Sequence, residues 1–214
     1  MPSEGRSHEF SLLETMRLED GRLVRQDGHL ARMAAAARAH GFPWDHERVA
    51  GALAATAARQ PGGRWRVRLL LAGTGEPTVE CTALPQPSGR PWKVALAADP
   101  VDAADPFLRI KTTRRQVYDA ARAARPSADD VVLWTPDGAI TESTIANVIV
   151  ELDGVLYTPQ AGGALLPGVF REELVRGGRV RERTILKHEA LSAPRFWLVN
   201  SLREWIGAEW ALLS

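Results

Sequence analysis

The stretch DPVDAADPF, residues 99–107, most constrains how this chain can fold. It contains two Asp-Pro steps and no helical or strand periodicity, and proline both removes a backbone donor and restricts the residue before it. Strand-like and helix-like segments are intermixed on both sides of it. We therefore predict a connector between two α/β (α+β) domains, residues 1–104 and 105–214, in a chain that is long enough to bury two cores.

The half before the connector is predicted to contain a hairpin, two helices and three further strands. Asp20-Gly21 is a typical hairpin turn within residues 8–24. Asp27 is predicted to cap a helix that ends at Gly41. The second helix is expected over residues 46–60, and the strands over 64–72, 78–84 and 92–98.

The half after the connector mixes helices and strands in the same way. Helices are predicted near residues 114–124 and from Pro167-Gly168 through residue 177. A second hairpin is expected across Asp153-Gly154. The predicted strands are 131–135, 146–152, 154–158, 179–186 and 196–200, followed by a terminal segment that carries Trp205 and Trp210.

Composition excludes several classes of protein. Lysine and arginine nearly balance the acids, with a formal net charge of +1, so neither a nucleic acid nor an anionic membrane is an expected partner. Cys81 is the only cysteine, which excludes an internal disulfide or a multi-cysteine zinc site and fits a reducing compartment. MPSEGRSHEF has no apolar core of signal-peptide length, and no segment approaches the ~20 apolar residues of a membrane span. We expect a soluble, cytoplasmic protein.

Two residues are the leading candidates for chemistry. Lys111 opens the stretch KTTRRQVYDAA directly after the connector, where apolar and hydroxyl neighbours can lower the pKa of an ammonium, although a lone lysine is more often solvated. Glu142 lies in DGAITESTIANVIVEL, which on its own is typical of a polar loop. Together they are what a pyridoxal phosphate (PLP) enzyme requires, a lysine for the aldehyde and an acid for the pyridine nitrogen.

A phosphate site is also predicted from the residues. The stretch LLPGVFREEL starts a helix whose backbone N–H groups at Val169 and Phe170 could hold an anion. The guanidinium of Arg32 could add charge-assisted hydrogen bonds to the same anion. His29 is more typical of a surface or capping residue, and it has no metal-ligand partner at a usable spacing. We predict no metal site.

Six segments in order resemble the class IV aminotransferase group of PLP enzymes. They are ETMR, DGHLARM, KTTRRQVYDAA, ITESTIANV, LLPGVFREEL and NSLREW, and the resemblance covers roughly residues 8 to 205. Within this group the chain is most similar to the 4-amino-4-deoxychorismate lyases, particularly those fused behind aminodeoxychorismate synthase. The resemblance implies a two-domain, fold-type-IV enzyme with PLP at the domain interface.

The resemblance also implies roles for individual residues. Lys111 would form the Schiff base and Glu142 would hold the pyridine nitrogen. Many relatives have a threonine where this chain has Phe170 and another near Leu202, so backbone amides and Ser201 would have to replace two hydroxyl donors to phosphate. The other implied cofactor contacts are Arg32, Asn147, Val169, Phe170, Ser201 and Leu202, and the candidate substrate contacts are Thr15, Arg17 and Arg115.

Three activities stay open at this stage. The resemblance favours release of pyruvate from 4-amino-4-deoxychorismate to give 4-aminobenzoate. A transaminase acting on D-amino acids, branched-chain amino acids or amines is the first alternative. Against the branched-chain form, Gln116 stands where those enzymes have a tyrosine, and Tyr118 comes two residues later. A non-catalytic relative without PLP is the second alternative. A homodimer and a functional pairing with aminodeoxychorismate synthase are the expected associations.

Overall fold

The structure, a computed structural model, describes residues 9–87 and 89–211. His8 at the start of the predicted first hairpin, and most of the segment inspected for a signal peptide, lie outside these residues. The chain divides into two compact units. The first comprises the residues up to Gln86 together with Ile110–Arg114, and the second comprises Pro87–Arg109 together with the chain from Arg115 onward.

The division does not fall at the predicted boundary between residues 104 and 105. Residues of the predicted strand 92–98 pair with the sheet of the second unit, whereas Lys111 hydrogen-bonds to a strand of the first unit. The prediction placed Lys111 in the C-terminal domain, but it belongs to the first unit. Residues 99–107, the predicted connector, lie within the second unit. Long-range strand pairing, which local composition does not encode, decides which unit each segment joins.

The first unit is a four-stranded antiparallel sheet with two helices. The sheet order is β2-β1-β3-β4, and Asp20 and Gly21 form the predicted hairpin turn with φ of 47° and 75°. The elements are β1 (Leu12–Glu19), β2 (Arg22–Leu23), α1 (Gln26–His40), α2 (His46–Ala58), β3 (Arg64–Leu71) and β4 (Pro77–Ala83).

The ends of the two helices confirm the predictions in part. Gly41 ends α1 in the left-handed conformation, as predicted. Asp27 lies inside the first turn of α1 instead of capping it, because the helix already begins at Gln26, so that prediction was wrong. The carboxylate of Asp45 caps α2 by accepting a hydrogen bond from the Arg48 amide at 3.0 Å.

The core of the first unit lies on one face of its sheet. Alternate residues of β1, Leu12, Met16 and Leu18, pack with α1 through Leu30 and Met33. Glu14 falls in the same alternating series and is also buried. The sequence therefore places a carboxylate in an otherwise apolar row, and such a group needs partners.

The second unit is built on an eight-stranded sheet of order β10-β9-β8-β11-β12-β5-β6-β7. Because β7 also pairs with β8, six of these strands close into a barrel. The pair that closes it aligns Glu142 with Asn147. The strands are β5 (Trp92–Leu96), β6 (Asp130–Trp134), β7 (Ile140–Ser143), β8 (Asn147–Leu152), β9 (Val155–Thr158), β10 (Arg181–Glu182), β11 (Phe196–Asn200) and β12 (Glu204–Trp210).

The helices of the second unit are short. A 3-10 helix covers Pro106–Arg109, and the α-helices are α3 (Gln116–Ala123), α4 (Val169–Arg176) and α5 (Lys187–Ser192). The predicted strand 179–186 is confirmed only in part, since β10 covers two of its residues. Helix α5 follows, and the Glu189 carboxylate fixes its start by accepting a hydrogen bond from the Leu186 amide at 2.8 Å. The hairpin across Asp153-Gly154 is confirmed, with β8 and β9 antiparallel.

Within the described ranges, no helix has the length and apolar character needed to cross a membrane. In the same part of the chain, no three His, Cys, Asp or Glu side chains are grouped so that they could hold a metal ion.

Candidate active site

Lys111 lies on the edge of β1 in the first unit. Its carbonyl accepts a hydrogen bond from the Leu13 amide at 2.9 Å, and the Thr113 amide donates to the Ser11 carbonyl at 2.9 Å. The Thr113 hydroxyl accepts a third hydrogen bond, from the Ser11 amide at 3.0 Å. These contacts involve the Lys111 carbonyl and Thr113, so they hold the main chain from Lys111 to Thr113 against β1.

Glu14, His29 and Arg32 form a buried cluster between β1 and α1. The Glu14 carboxylate accepts hydrogen bonds from Arg32 Nε at 2.8 Å and from an Arg32 terminal nitrogen at 2.7 Å. His29 Nδ1 lies 2.6 Å from the second Glu14 oxygen. Glu14 and His29 are 1% and 2% exposed. The two-point contact fixes the plane of the Arg32 guanidinium.

The electrostatics of this cluster follow from burial and charge. Burial alone would raise the pKa of Glu14, but the Arg32 charge and the hydrogen bonds from His29 and Arg32 outweigh it and lower that pKa to about 2. Burial also lowers the pKa of His29, and the charges of Arg32 and Lys111 add to this effect against the pull of Glu14. We therefore treat His29 as neutral at pH 7, with Nδ1–H donating to Glu14.

The cluster corrects one prediction and adds a residue that sequence reasoning missed. His29 is not a surface or capping residue, because it points into the core beside Glu14. Glu14 was not predicted as a functional residue. A signal for it exists in the strand LLETMRL, where a carboxylate takes a core-facing position two residues from both Leu12 and Met16. His29 and Arg32, three apart on α1, are its expected partners.

The candidate substrate residues Thr15 and Arg17 lie on the opposite face of β1. Thr15 is aligned with Arg68 of β3, and Arg17 with Arg66. Arg17 is only 9% exposed, although arginine side chains are usually exposed to solvent. Its Nε lies 3.2 Å from Glu19. This face therefore carries several guanidinium groups.

Glu142 is the buried carboxylate of the second unit. It lies on β7 and is 4% exposed. Its Oε1 accepts a hydrogen bond from the Tyr118 hydroxyl at 2.8 Å and another from the Leu166 amide at 3.1 Å. The first donor comes from α3 and the second from the loop before α4. Two separate elements thus fix one oxygen of this carboxylate.

Asn147 and Gly168 connect Glu142 to the start of α4. Across the strand pair from Glu142, Asn147 donates from Nδ2 to the Leu166 carbonyl at 2.8 Å. A Cβ on Gly168 would overlap Asn147 Oδ1 and lie 3.3 Å from its Cγ. The backbone of Gly168 has φ of −71°, which any residue can adopt, so the need for glycine here is steric.

Helix α4 begins where it was predicted, at Val169. Gly168 supplies no side-chain cap. The first backbone amides of a helix point outward and favour an anion. The Phe170 side chain is 3% exposed and packs edge-on against Trp205, with ring centroids 6.3 Å apart. Phe170 can therefore offer a ligand only its backbone amide.

The turn between β11 and β12 contains Ser201 and Leu202. The amides of Leu202 and Arg203 donate to Asn200 Oδ1 at 3.1 and 2.9 Å. The Leu202 amide is thus used within its own turn, which weakens its predicted role at the phosphate. Ser201 carries the only hydroxyl of residues 200–203.

Arg115 also lies in the second unit and contacts two neighbours. A terminal nitrogen donates to the Thr144 carbonyl at 2.6 Å, and the guanidinium lies 4.7 Å from the centroid of the Tyr118 ring. The predicted substrate contact thus lies beside the hydroxyl donor of Glu142.

Each unit contains residues that suit a part of PLP. The first unit offers an amine at Lys111 and an oriented guanidinium at Arg32. The second offers a buried carboxylate at Glu142 and an uncapped helix start after Gly168, whose lack of a Cβ keeps the chain close to Asn147. An amine, a carboxylate and anion-binding groups are the donors that the aldehyde, pyridine nitrogen and phosphate require.

Comparison with known proteins agrees with this donor set. The family model described as amino-transferase class IV matches residues 11–209. A Schizosaccharomyces pombe protein named "Putative aminodeoxychorismate lyase" is 31% identical over 204 residues, which span 92% of this chain and 87% of that protein. A structure of a "Putative amino-acid aminotransferase" from Mesorhizobium loti is 38% identical, with a TM-score of 0.89 over 95% of this chain and all of that one.

More distant structures share the fold. A structure of a "Putative 4-amino-4-deoxychorismate lyase" from Legionella pneumophila is 20% identical, with a TM-score of 0.82 over 98% of this chain and 87% of that chain. The predicted fold-type-IV α/β architecture is thereby confirmed. With a family match over nearly all its length and a 31% identical relative covering it almost end to end, this chain belongs to the class IV aminotransferase family.

Proposed function

We propose that the chain is a PLP-dependent lyase that converts 4-amino-4-deoxychorismate into 4-aminobenzoate and pyruvate. The observation that carries the proposal is the buried Glu142 carboxylate, held by Tyr118 and Leu166 beside the start of α4. When bound, PLP would supply an aldehyde for a lysine amine and an electron sink for a carbanion next to the substrate's amine. The S. pombe relative supports the lyase reaction in particular.

Lys111 is proposed to attach the cofactor and to act as the general base. A lysine amine combines nucleophilic and proton-transfer chemistry, and its four-carbon stem allows the amine to move between these tasks. The hydrogen bonds that Lys111 and Thr113 make with Leu13 and Ser11 hold the main chain at Lys111 against β1. Glu142 is proposed to remain ionised and hold the proton of the pyridine nitrogen.

The proposed reaction balances without an oxidant or an added acceptor. A proton leaves the ring carbon that carries the amino group and is taken by Lys111. The bond between the ring and the enolpyruvyl ether oxygen breaks with its electron pair on oxygen, and the ring becomes aromatic. The enolpyruvate takes up one proton and becomes pyruvate. Loss of these groups gives 4-aminobenzoate.

The arginines are proposed to bind the anionic groups. Arg32, oriented by Glu14, is one candidate to bind the phosphate, and the first amides of α4 at Val169 and Phe170 are another. The substrate has two carboxylates, and Arg17 and Arg115 are the candidates to bind them.

A transaminase is the second candidate, and the 38% identical M. loti protein named as an amino-acid aminotransferase favours it. A transaminase needs a keto-acid acceptor, whereas the lyase does not. The presence or absence of that requirement separates the two activities in a single assay.

The test uses purified protein loaded with PLP and aminodeoxychorismate, with no keto acid added. Pyruvate is followed with a lactate dehydrogenase couple, and 4-aminobenzoate is measured by chromatography. We expect the two products in equal amounts, no activity in Lys111→Ala, and normal activity in Lys93→Ala, a matched change at an exposed lysine. Amino-group exchange between an amino acid and a keto acid without these products would replace the lyase by the transaminase. A protein that binds no PLP would identify a non-catalytic relative.

A further inference from the structure

Tyr118 makes a contact that the sequence did not indicate. Its hydroxyl donates to Glu142 Oε1 at 2.8 Å, across 24 residues of sequence. Both side chains are buried, with 8% and 4% exposure. Hydrogen bonds to an ionised acceptor in a low-dielectric interior are stronger than those at a surface. This contact therefore does more than fill space.

The ring of Tyr118 is fixed from several sides. It is the buried residue of α3 and packs in a cluster with Leu108, Val131 and Leu133. The Arg115 guanidinium lies 4.7 Å from the ring centroid. A hydroxyl on so constrained a ring has little freedom to leave its acceptor, so the direction of its hydrogen bond is set by the fold.

The hydroxyl can act only as a donor in this position. Burial raises the pKa of the Tyr118 phenol, and the negative charge and hydrogen bonding of Glu142 raise it further. The phenol thus stays protonated across the range in which proteins remain folded. The amide of Leu166 also donates to the same oxygen, at 3.1 Å.

We infer that Tyr118 is a positioning residue that fixes the orientation and the charge of the Glu142 carboxylate toward the pyridine nitrogen of PLP. The inference rests on the proposed function, because it assigns Glu142 to that nitrogen. Tyr118 acts through Glu142 and does not itself touch the reacting atoms. Together with the Leu166 amide it forms a two-donor clamp on Oε1, one donor from α3 and the other from the loop that leads into α4.

The test compares Tyr118→Phe with Tyr157→Phe. Each variant removes one hydroxyl from one of the two tyrosines of the chain and keeps the ring. Tyr157 lies on β9, where its ring packs under Arg183 at 5.2 Å, and it has no part in the proposed site. It is therefore a matched control for loss of a tyrosine hydroxyl in the same unit.

The first readout needs no cofactor. The side-chain carboxyl carbons are labelled with 13C, Glu142 is assigned from Glu142→Gln, and its titration is followed by NMR in the PLP-free protein. We expect the midpoint to move upward in Tyr118→Phe, because the ionised form loses a donor, and to stay constant in Tyr157→Phe. An unchanged midpoint in Tyr118→Phe would overturn the inference.

The second readout is kinetic. In Tyr118→Phe we expect kcat to fall roughly tenfold with substrate KM within about twofold, since the lost interaction acts on the chemical step. In a Glu142→Gln background the same change should have little further effect, because the two residues act as one unit. Additive losses would mean that Tyr118 acts independently of Glu142 and would overturn the inference. If the wild type binds no PLP, the proposed function fails, while the carboxyl titration still decides whether Tyr118 controls Glu142.

Discussion

Replacing Glu14 by glutamine tests whether the buried cluster is an electrostatic anchor for Arg32. The variant keeps the shape of the side chain but removes the charge that accepts two hydrogen bonds from Arg32 and one from His29. The Arg32 guanidinium, 17% exposed, would then face a neutral amide. Breaking a partly buried ion pair from one side leaves the other charge poorly solvated.

The size of the effect follows from the pKa of Glu14. That pKa falls from an ordinary 4.5 to about 2 in the folded protein. Since each tenfold change in an equilibrium constant corresponds to ~1.4 kcal/mol, ionised Glu14 contributes about 3 kcal/mol to the free energy of unfolding at pH 7. This contribution is complete above pH 4.5 and is lost as the pH falls toward 2. At pH 3 about 1 kcal/mol of it remains.

The assay is urea unfolding of the wild type and Glu14→Gln at a series of pH values. We expect a loss of about 3 kcal/mol at pH 7 that shrinks below pH 4.5. The matched control is Glu76→Gln, whose partner is the exposed Arg48 and whose loss should be below about 1 kcal/mol at any pH. Equal losses in the two variants, or a Glu14→Gln loss that does not change between pH 7 and pH 3, would refute the electrostatic reasoning.

Two further predictions concern the site. Borohydride reduction of the PLP-loaded protein should leave the pyridoxyl label on Lys111, as peptide mapping would show, and a label on Lys93 or Lys187 would contradict its assignment. Gly168→Ala should destabilise the protein by about 1 to 3 kcal/mol and weaken PLP binding, because its Cβ would displace Asn147 from Leu166. The control is Gly51→Ala, because the space around a Cβ at Gly51 is open, whereas Gly162 has a φ of 99° that strains any other residue. Equal effects of the substitutions at Gly51 and Gly168 would contradict the steric argument.

Local signals in the sequence predicted most of the elements. Turn dipeptides such as Asp20-Gly21 and Asp153-Gly154 fix both hairpins, because few residues adopt positive φ without strain. The start of α4 after Pro167-Gly168 was predicted for a similar local reason. Glu142 was predicted in the site from the residues and from the resemblance, and Asn147 from the resemblance. The strand pair that aligns them explains why they occur at that spacing.

Long-range strand pairing and side-chain burial could not be predicted from local sequence signals. Strand β5 has the composition of its neighbours in the chain, yet it pairs in parallel with β6 and β12, which no local pattern encodes. Tyr118 looks like one apolar position of a short helix, and only the fold brings its hydroxyl to Glu142. The burial of His29 could not be predicted from its local sequence either. A histidine in a first helical turn is usually exposed, and its burial depends on a carboxylate 15 residues earlier.

The roles proposed for Lys111 and Glu142 make different demands on the two groups. The hydrogen bonds that Lys111 and Thr113 make with Leu13 and Ser11 fix the main chain at the start of the Lys111 side chain. A lysine side chain is long and flexible, so its amine can act on more than one partner. Glu142 is fixed at the carboxylate itself, by Tyr118 and the Leu166 amide. A base that must collect and return a proton has to move, whereas a charge that stabilises a neighbouring cation works best when it cannot reorganise. In the proposed reaction Lys111 would be that base, and Glu142, with two donors on one oxygen, would be that charge.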